Sequence, residues 1–368
     1  MKKLSKQLGK RLFLRNLIFT HRSISRPELI RLCGLNARSV DRYTHELKAL
    51  GLIRSTQVQG SRGRPATAYT SNSENCLFVG AVIDSWQLLT TVLDINGKPM
   101  FCQAIPCPRR QSLANLETDI IVSIERATQQ SGQQVPYAIC LGLPTHLDQP
   151  QTRARLLQAL RNRYRTQVEC LSTDTLITHE ALAHTWLNGR IASIIFSSAF
   201  IIFDNGLHVT QYDKRLQALW HRRTPEGLGL NLACSCGKRG CLQAELSGEA
   251  LIERYRQLAG ATPGNTLLAA GKNINLEAKL GNQNAINTIR AQAEVYGYLA
   301  SQLHAELPVD YIIMIQSSHF NNAAYAQFAR EAFARWSGVS PHQFRPYAYS
   351  WADMAFAASQ YARRNFAW

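Results

Sequence analysis

Over the first fifty residues, apolar side chains recur three times at helical spacing. Leu14, Leu17 and Ile18 mark one face of a first helix. Ser25 then precedes Arg26-Pro27-Glu28, which predicts a capping box: a hydroxyl at the N-cap and a glutamate three residues on, serving amides that lack helical partners. Leu29, Leu32 and Cys33 form the inner face of the second helix. Gly34-Leu35-Asn36 supplies a turn and the next cap. A third helix turns Val40, Tyr43 or Thr44, Leu47 and Leu50 inward and leaves Arg38, Ser39, Asp41, Arg42 and His45 outside. Gly51-Leu52-Ile53 ends it and starts a strand, and residues 57–65 read as a hairpin tip plus linker. Two helices across a short turn, the second with polar residues at its N-terminal end, predict a winged helix-turn-helix over residues 1–70.

Beyond residue 70 the pattern changes to apolar runs alternating with helical stretches. Strands are predicted over 77–83, 88–95, 100–105, 137–143 and 168–171, with Asn96-Gly97 as a strong turn signal. Helices are predicted over 116–127, 157–164 and 177–187. The apolar stretch 191–203 reads as a strand pair turning at Asp204-Asn205-Gly206. This is an α/β pattern, and 368 residues with 45% hydrophobic and 18% charged side chains suffice for two or three domains with real cores. No apolar run approaches the ~18–20 residues of a membrane span. The basic start, Met1-Lys2-Lys3-Leu4-Ser5-Lys6, is followed by no signal-peptide core, so a cytoplasmic protein with no membrane partner is expected.

Charge sharpens the picture. The net charge is +16, and residues 1–75 hold 15 Lys/Arg against Glu28, Asp41, Glu46 and Glu74. The surplus therefore sits on the winged helix, where a polyanion partner, double-stranded DNA, is expected. Arg38 and Arg42 suit guanine edges or phosphates, and Ser39 suits either. Arg62 and Arg64, flanked by glycine, suit a phosphate strand or a minor groove. Arg26 completes the DNA-binding set.

Nine cysteines are an odd number, which argues against a disulfide scaffold. Cys33, Cys76, Cys102, Cys107, Cys140 and Cys170 lack ligand spacing and read as core or surface thiols. Cys234-Ser235-Cys236-Gly237-Lys238-Arg239-Gly240-Cys241 is different: a Cys-x-Cys…Cys cluster with glycines for tight turns points to a metal.

Two sets of residues resemble the ROK family, which groups bacterial sugar kinases with sugar-responsive repressors. Ser25 to Asn36, Val40, Leu47 and Gly51 to Ile53 resemble its winged-helix end. Gly63-Arg64-Pro65 is more particular to its repressors. Cys234 to Leu242 resembles the family's zinc signature, Cys-x-Cys-Gly-x-x-Gly-Cys-Leu-Glu. The resemblance implies His221 as fourth ligand, with a small insertion looping out before Cys234. Three thiolates and an imidazole complete a tetrahedral, saturated site, so the expected cofactor is a structural zinc. The resemblance also implies a two-lobed actin-like ATPase fold over residues 71–368.

The family's kinase chemistry is not matched. Its phosphate-binding Asp-x-Gly-Gly-Thr corresponds to Asp84-Ser85-Trp86-Gln87. Its Gly-Thr-Gly loop corresponds to Ser197-Ser198-Ala199, and a further glycine pair to Gln316-Ser317-Ser318. Matched without gaps, its catalytic Asn-Asp falls on Thr175-Leu176, and leucine is no base; a small shift would bring Asp174 to that position instead, which the gap-free match disfavours. Two sugar-gripping glutamates become Ala218 and Gln243. A remodelled pocket would draw on Asp174, Thr175, His221 and Gln243, with Thr145 and His184 as further candidates. The expectation is a non-enzymatic DNA-binding regulator, a repressor of a carbohydrate-related operon. It would act as a homodimer or dimer of dimers on a palindromic operator. Its effector would be a sugar derivative, another metabolite or a protein. The alternative is an ATP-dependent sugar kinase with an added DNA-binding head.

Overall fold

In the computed structural model, which describes residues 2–21, 23–59, 65–72, 76–83, 87–107, 112–132, 135–144, 147–185, 187, 189–195, 199–204, 207–210, 214–264, 266–317 and 323–366, the chain opens with a winged helix. Helix α1 (Lys2–Thr20) leads into a two-residue strand β1 (Ile24–Ser25), then α2 (Arg26–Cys33) and α3 (Ala37–Ala49). Both expected caps form: Ser25 Oγ accepts from Glu28 N at 3.4 Å, and Asn36 Oδ1 accepts from Ser39 N at 2.9 Å. Gly34 closes α2 in the left-handed region at φ +61. Strands β2 (Ile53–Gln59) and β3 (Pro65–Ser71) form the antiparallel hairpin of the wing, in register from Ile53↔Ser71 to Gln59↔Pro65, and β1 adds to β3. Leu14, Ile18, Leu29, Val40, Tyr43, Leu47 and Leu52 form the small core.

Three details differ from expectation. Leu50 is exposed, because α3 ends at Ala49 and the left-handed Gly51 turns the chain so that Leu52 points inward instead. Gln57 to Gln59 are strand rather than hairpin tip, and Pro65 begins the return strand rather than a linker, because the ladder continues to Gln59↔Pro65. Leu17 is only half-buried, while Arg15 and Phe19 take places in the core. Arg62, Arg64, Asp84, Ser85, Trp86, Thr145, Ser197, Ser198 and Ser318 lie outside the described residues.

The first α/β sheet comprises β4 (Phe78–Ile83), β5 (Gln87–Leu93), β6 (Pro99–Pro106), β7 (Ala138–Leu143) and β8 (Gln167–Ser172), in the order β6-β5-β4-β7-β8. Strands β4 to β6 form an antiparallel meander, and β7 and β8 continue parallel to β4. The Asn96-Gly97 turn forms as expected: Gly97 is at φ +87, and Asp94 Oδ1 accepts from the amides of Asn96 and Lys98. Helices α4 (Leu113–Gln130) and α5 (Pro150–Tyr164) bury Leu116, Ile120, Ile124, Leu156 and Leu160 on one face. Helix α6 (Thr173–Thr185) follows β8.

The second sheet repeats the same plan with β9 (Arg190–Ile195), β10 (Ala199–Asp204), β11 (Leu207–Thr210), β12 (Tyr311–Ser317) and β13 (Phe344–Tyr349), in the order β11-β10-β9-β12-β13. The stretch 191–203 holds two paired strands, with Ala199 opposite Ile195. Of the expected 204–206 turn, Asp204 ends β10 and pairs with Leu207 of β11, while Asn205 and Gly206 lie outside the described residues. Around this sheet lie α7 (Lys214–Trp220), α8 (Leu242–Glu245), α9 (Gly248–Ala259), α10 (Leu267–Lys279), α11 (Gln283–Glu306) and α12 (Ala323–Ser337). Tyr296 on α11 is buried and donates to Ile194 O at 2.9 Å. A Cβ on Gly297 would lie 2.4 Å from Ala332 Cβ, so only glycine lets α11 and α12 pack this closely.

The last helix, α13 (Trp351–Asn365), returns to the first sheet, so that Met1–Leu176 and Trp351–Trp368 form one compact unit and Ile177–Ser350 the other. It lies on the sheet face opposite α4 and α5. A Cβ on Gly80 of β4 would fall 2.3 Å from Ala355 O, so a glycine there admits the helix backbone. Beyond α13, Phe366 wedges between Phe19 of the winged helix and Phe78 and Tyr137 of the lobe, with ring centroids 6.4, 5.1 and 5.0 Å away. Arg15 completes this seam. It is 0% exposed, it donates to the carbonyls of Arg364 and Phe366, and its guanidinium sits 4.0 Å from the Phe366 ring centroid.

Replacing Phe366 by alanine is expected to lower unfolding free energy by about 3–5 kcal/mol, because it empties a closed aromatic site. Phe13→Ala, at a position 50% exposed, should stay within about 0.5 kcal/mol of the parent. Denaturant titration of the two purified variants checks both.

Candidate metal centre and nucleic-acid interface

The metal-ligand cluster is assembled by three local devices. Trp220, at the end of α7, stacks on Phe200 with centroids 4.7 Å apart, which fixes where His221 leaves the helix. Cys234 and Lys238 close a tight turn through Cys234 N to Lys238 O at 2.8 Å, and the left-handed Gly237 lies inside it. Gly240, also left-handed, sends the chain back so that Cys241 meets the cluster and caps α8. The two strands leading in and out are tied by Thr224 N to Gly240 O and Leu242 N to Arg222 O, at 2.8 and 2.9 Å.

His221 Nδ1 lies 3.6 Å from Cys234 Sγ, and Cys236 Sγ lies 3.7 Å from Cys241 Sγ. The four ligand atoms all lie within 4.8 Å of one another. A tetrahedron with zinc–sulfur bonds of about 2.3 Å has edges of about 3.8 Å, so the set fits zinc in both spacing and chemistry. Burial, with the neighbouring thiols, pushes the Cys241 thiol up to about 12, whereas the Lys238 backbone amide holds Cys236 below its usual value. The cluster thus withholds protons at one sulfur and releases them at another, as adjoining thiols do until a cation replaces the protons. Gln243 Oε1 is 3.8 Å from Cys234 Sγ, so it borders the ligand set.

The remaining predicted pocket residues are divided between the two units. Asp174 and Thr175 lie in the first turn of α6, in the first unit; His221 and Gln243 lie in the second. Thr175 is buried against Ser172, whose Oγ is 2.8 Å from Thr175 Oγ1 and accepts from Thr175 N at 3.2 Å. Asp174 puts a negative charge at a helix N-terminus. Leu176 is 0% exposed, and a Cβ on Gly142 would meet it at 2.8 Å. His184 pairs with Glu180 at 2.9 Å and lies over Tyr347.

On the winged helix, Arg38 and Arg42 are exposed and Ser39 is half-buried at the start of α3. Arg42 is pre-positioned: its guanidinium lies 4.7 Å from the Tyr43 ring centroid and donates to Tyr43 Oη at 2.9 Å. Arg26 makes a bidentate pair with Asp41, both bonds 2.7 Å, which raises Arg26 and lowers Asp41. This pair braces α2 against α3 from outside.

Two residues outside the predicted set organise these sites. Arg15 seats the winged helix, as described above. Glu245, 0% exposed, holds the loop before the cysteines. The only sequence signal for Glu245 is an acid placed directly before Leu246 in a short segment that opens with Leu242.

The arrangement defines a class: a winged helix-turn-helix joined to two α/β units that share one sheet plan, as in actin-like ATPases. Residues 221–336 match the family model described as "ROK family". No curated protein sequence matches the chain. Among solved structures, it is similar to a ROK family transcriptional regulator, a homolog of the E. coli MLC protein. That match has 17% identity and a TM-score of 0.73, over 98% of this chain and 96% of the other. It is also similar to a ROK hexokinase from Thermus thermophilus, at 17% identity and a TM-score of 0.60 over 78% of this chain and 98% of the other. A ROK family glucokinase from Streptomyces griseus, in complex with glucose and AMPPNP, matches at 18% identity and a TM-score of 0.58, over 78% of this chain and 100% of that one. At these identities the likeness is one of fold. No helix among the described residues is long and apolar enough to cross a membrane.

Purified protein should contain one zinc per chain by elemental analysis, and chelation should lower its thermal midpoint. Cys236→Ala should abolish stoichiometric zinc. Because the thiols and imidazole must shed protons to bind, apparent zinc affinity should rise from about pH 6 to about pH 8 in competition with a chromophoric chelator.

Proposed function

We propose that the protein is a DNA-binding transcriptional regulator, a repressor of a carbohydrate-related operon, acting as a homodimer or dimer of dimers on a palindromic operator. The observation that carries this reading is the exposed N-terminal face of α3, where Arg38 and Arg42 flank Ser39 and Tyr43 holds the Arg42 guanidinium in place. A helix of this kind, second in a helix-turn-helix, presents its first turns to base edges in a major groove. The surrounding charge supplies the phosphate attraction. The similarity to a regulator spans nearly the whole chain, winged helix included, which supports the same reading.

In this reading the core no longer transfers phosphate. Leu176 offers no base, and its burial leaves no room there for a charged carboxylate without a partner. Asp174, Thr175, His221 and Gln243 are proposed to contribute to effector sensing, the effector being a sugar derivative, another metabolite or a protein. Structural zinc, held by His221, Cys234, Cys236 and Cys241, would brace the second unit. Arg26, Arg62 and Arg64 are proposed as further phosphate contacts, and the site of action is the cytoplasm. The second reading, a sugar kinase with an added winged helix, is favoured by the shared fold with ROK hexokinase and glucokinase. A coupled assay with ATP and a panel of hexoses separates the two: turnover would establish the kinase.

Selection from a random duplex pool in moderate salt should enrich a palindrome. Arg38→Ala and Arg42→Ala should each weaken binding to it by about 1–3 kcal/mol and relax preference at one base position. No enrichment over random DNA would sink the regulator reading.

A further inference from the structure

We propose that Glu245 is a positioning residue for the metal: a buried carboxylate clamp that shapes the His221–Cys234 loop so that Cys234 meets the other three ligands. The proposal rests on the zinc reading of that cluster. Glu245 ends α8, the short helix that Cys241 caps, so its side chain is tied to the C-terminal end of the ligand set. Its carboxylate reaches back to the other end. Oε2 accepts from Leu230 N at 2.7 Å, and Oε1 accepts from Leu232 N at 2.8 Å. Asn231 between them sits in the left-handed region at φ +58, which turns both amides toward the same carboxylate. Leu232 in turn accepts from Gly240 N at 2.8 Å, and Cys234 lies two residues further on.

The clamp is built, not incidental. Glu245 is 0% exposed, and Arg254 of α9, 4% exposed, donates to Oε2 at 3.1 Å, so the buried charge is compensated. Removing one partner of such a pair leaves the other buried and unpaired. Gly229 also belongs to the clamp: a Cβ there would lie 2.4 Å from Thr224 Oγ1 and 3.0 Å from the Glu245 carboxyl carbon. The loop before Cys234 is longer than the family signature leads one to expect, and a longer loop costs more to close. Two charge-assisted hydrogen bonds from the loop to a carboxylate fixed by Arg254 offset that cost before any metal arrives. Groups that orient metal ligands from outside typically change affinity by about 10–100-fold.

The test uses full-length protein, stripped of metal and titrated with zinc alone against a chromophoric chelator. Cobalt(II) spectra serve as a second readout of the sulfur-rich tetrahedral set. Glu245→Gln keeps the shape and removes the charge, and it should lose about 10–100-fold in zinc affinity. Gly229→Ala, which pushes a methyl into the clamp from the loop side, should lose affinity in the same direction. This second variant decides the matter if Glu245→Gln fails to fold. Glu226→Gln, exposed on the same loop, should bind as the parent does. Zinc affinity unchanged in folded Glu245→Gln or folded Gly229→Ala would overturn the clamp. Failure of the unaltered protein to bind zinc would instead overturn the metal reading, a separate result.

Discussion

A buried guanidinium sets the terms for the first half of the molecule. Arg15 is fully buried, and burial together with the nearby Arg363 pushes it down to about 9, which still leaves it charged at neutral pH. A cation in that position needs negative partners, and the structure offers the negative end of a helix: the last carbonyls of α13. Satisfying Arg15 therefore requires α13 to lie along the first sheet, and this requires Gly80 to be bare. Phe366 can then fill the gap between Phe19, Phe78 and Tyr137. The winged helix is thus packed into the first unit as part of one core, not suspended from it by a flexible tether.

The second unit solves a different problem by related means. Its distinctive loop runs from His221 to Cys234 outside any helix or sheet, with Leu228 packed against the core. Polar groups do the organising: the ligand cluster at the outer end, and the Glu245–Arg254 pair beneath. Trp220 against Phe200 ties this assembly to the sheet. The same unit shares its strand plan with the first, three antiparallel strands followed by two parallel ones. The α/β frame is general to kinases and regulators alike.

Local chemistry was legible in the sequence wherever its partners are close along the chain. Ser25, Asn36 and the Asn96-Gly97 turn act within three or four residues, and all form as their residue types dictate. The cysteine cluster could be read for the same reason, since its three thiols span eight residues and its glycines are the turns. Leu50 misled because helical periodicity was extended past the turn that Gly51 imposes. The pairing inside the 191–203 stretch was hard to read because its apolar run is broken only by serines, with no Gly, Pro or Asn to mark where β9 ends and β10 begins. Arg15 could not have been recognised, because a basic residue on a basic helix looks solvated until α13 is laid across it. Glu245 was hidden by the opposite circumstance: its partners are backbone amides, which sequence never displays.

The Arg15 seam also has a consequence for the order in which the protein is made. Its hydrogen bonds link residues 351 positions apart. At ~5–20 residues per second, the ribosome delivers Phe366 roughly 20–70 s after Arg15. The helix that carries Arg15 and Phe19 is therefore buried only once α13 has been made, long after its own synthesis. A chain interrupted anywhere before α13 would display a basic, unfinished winged helix.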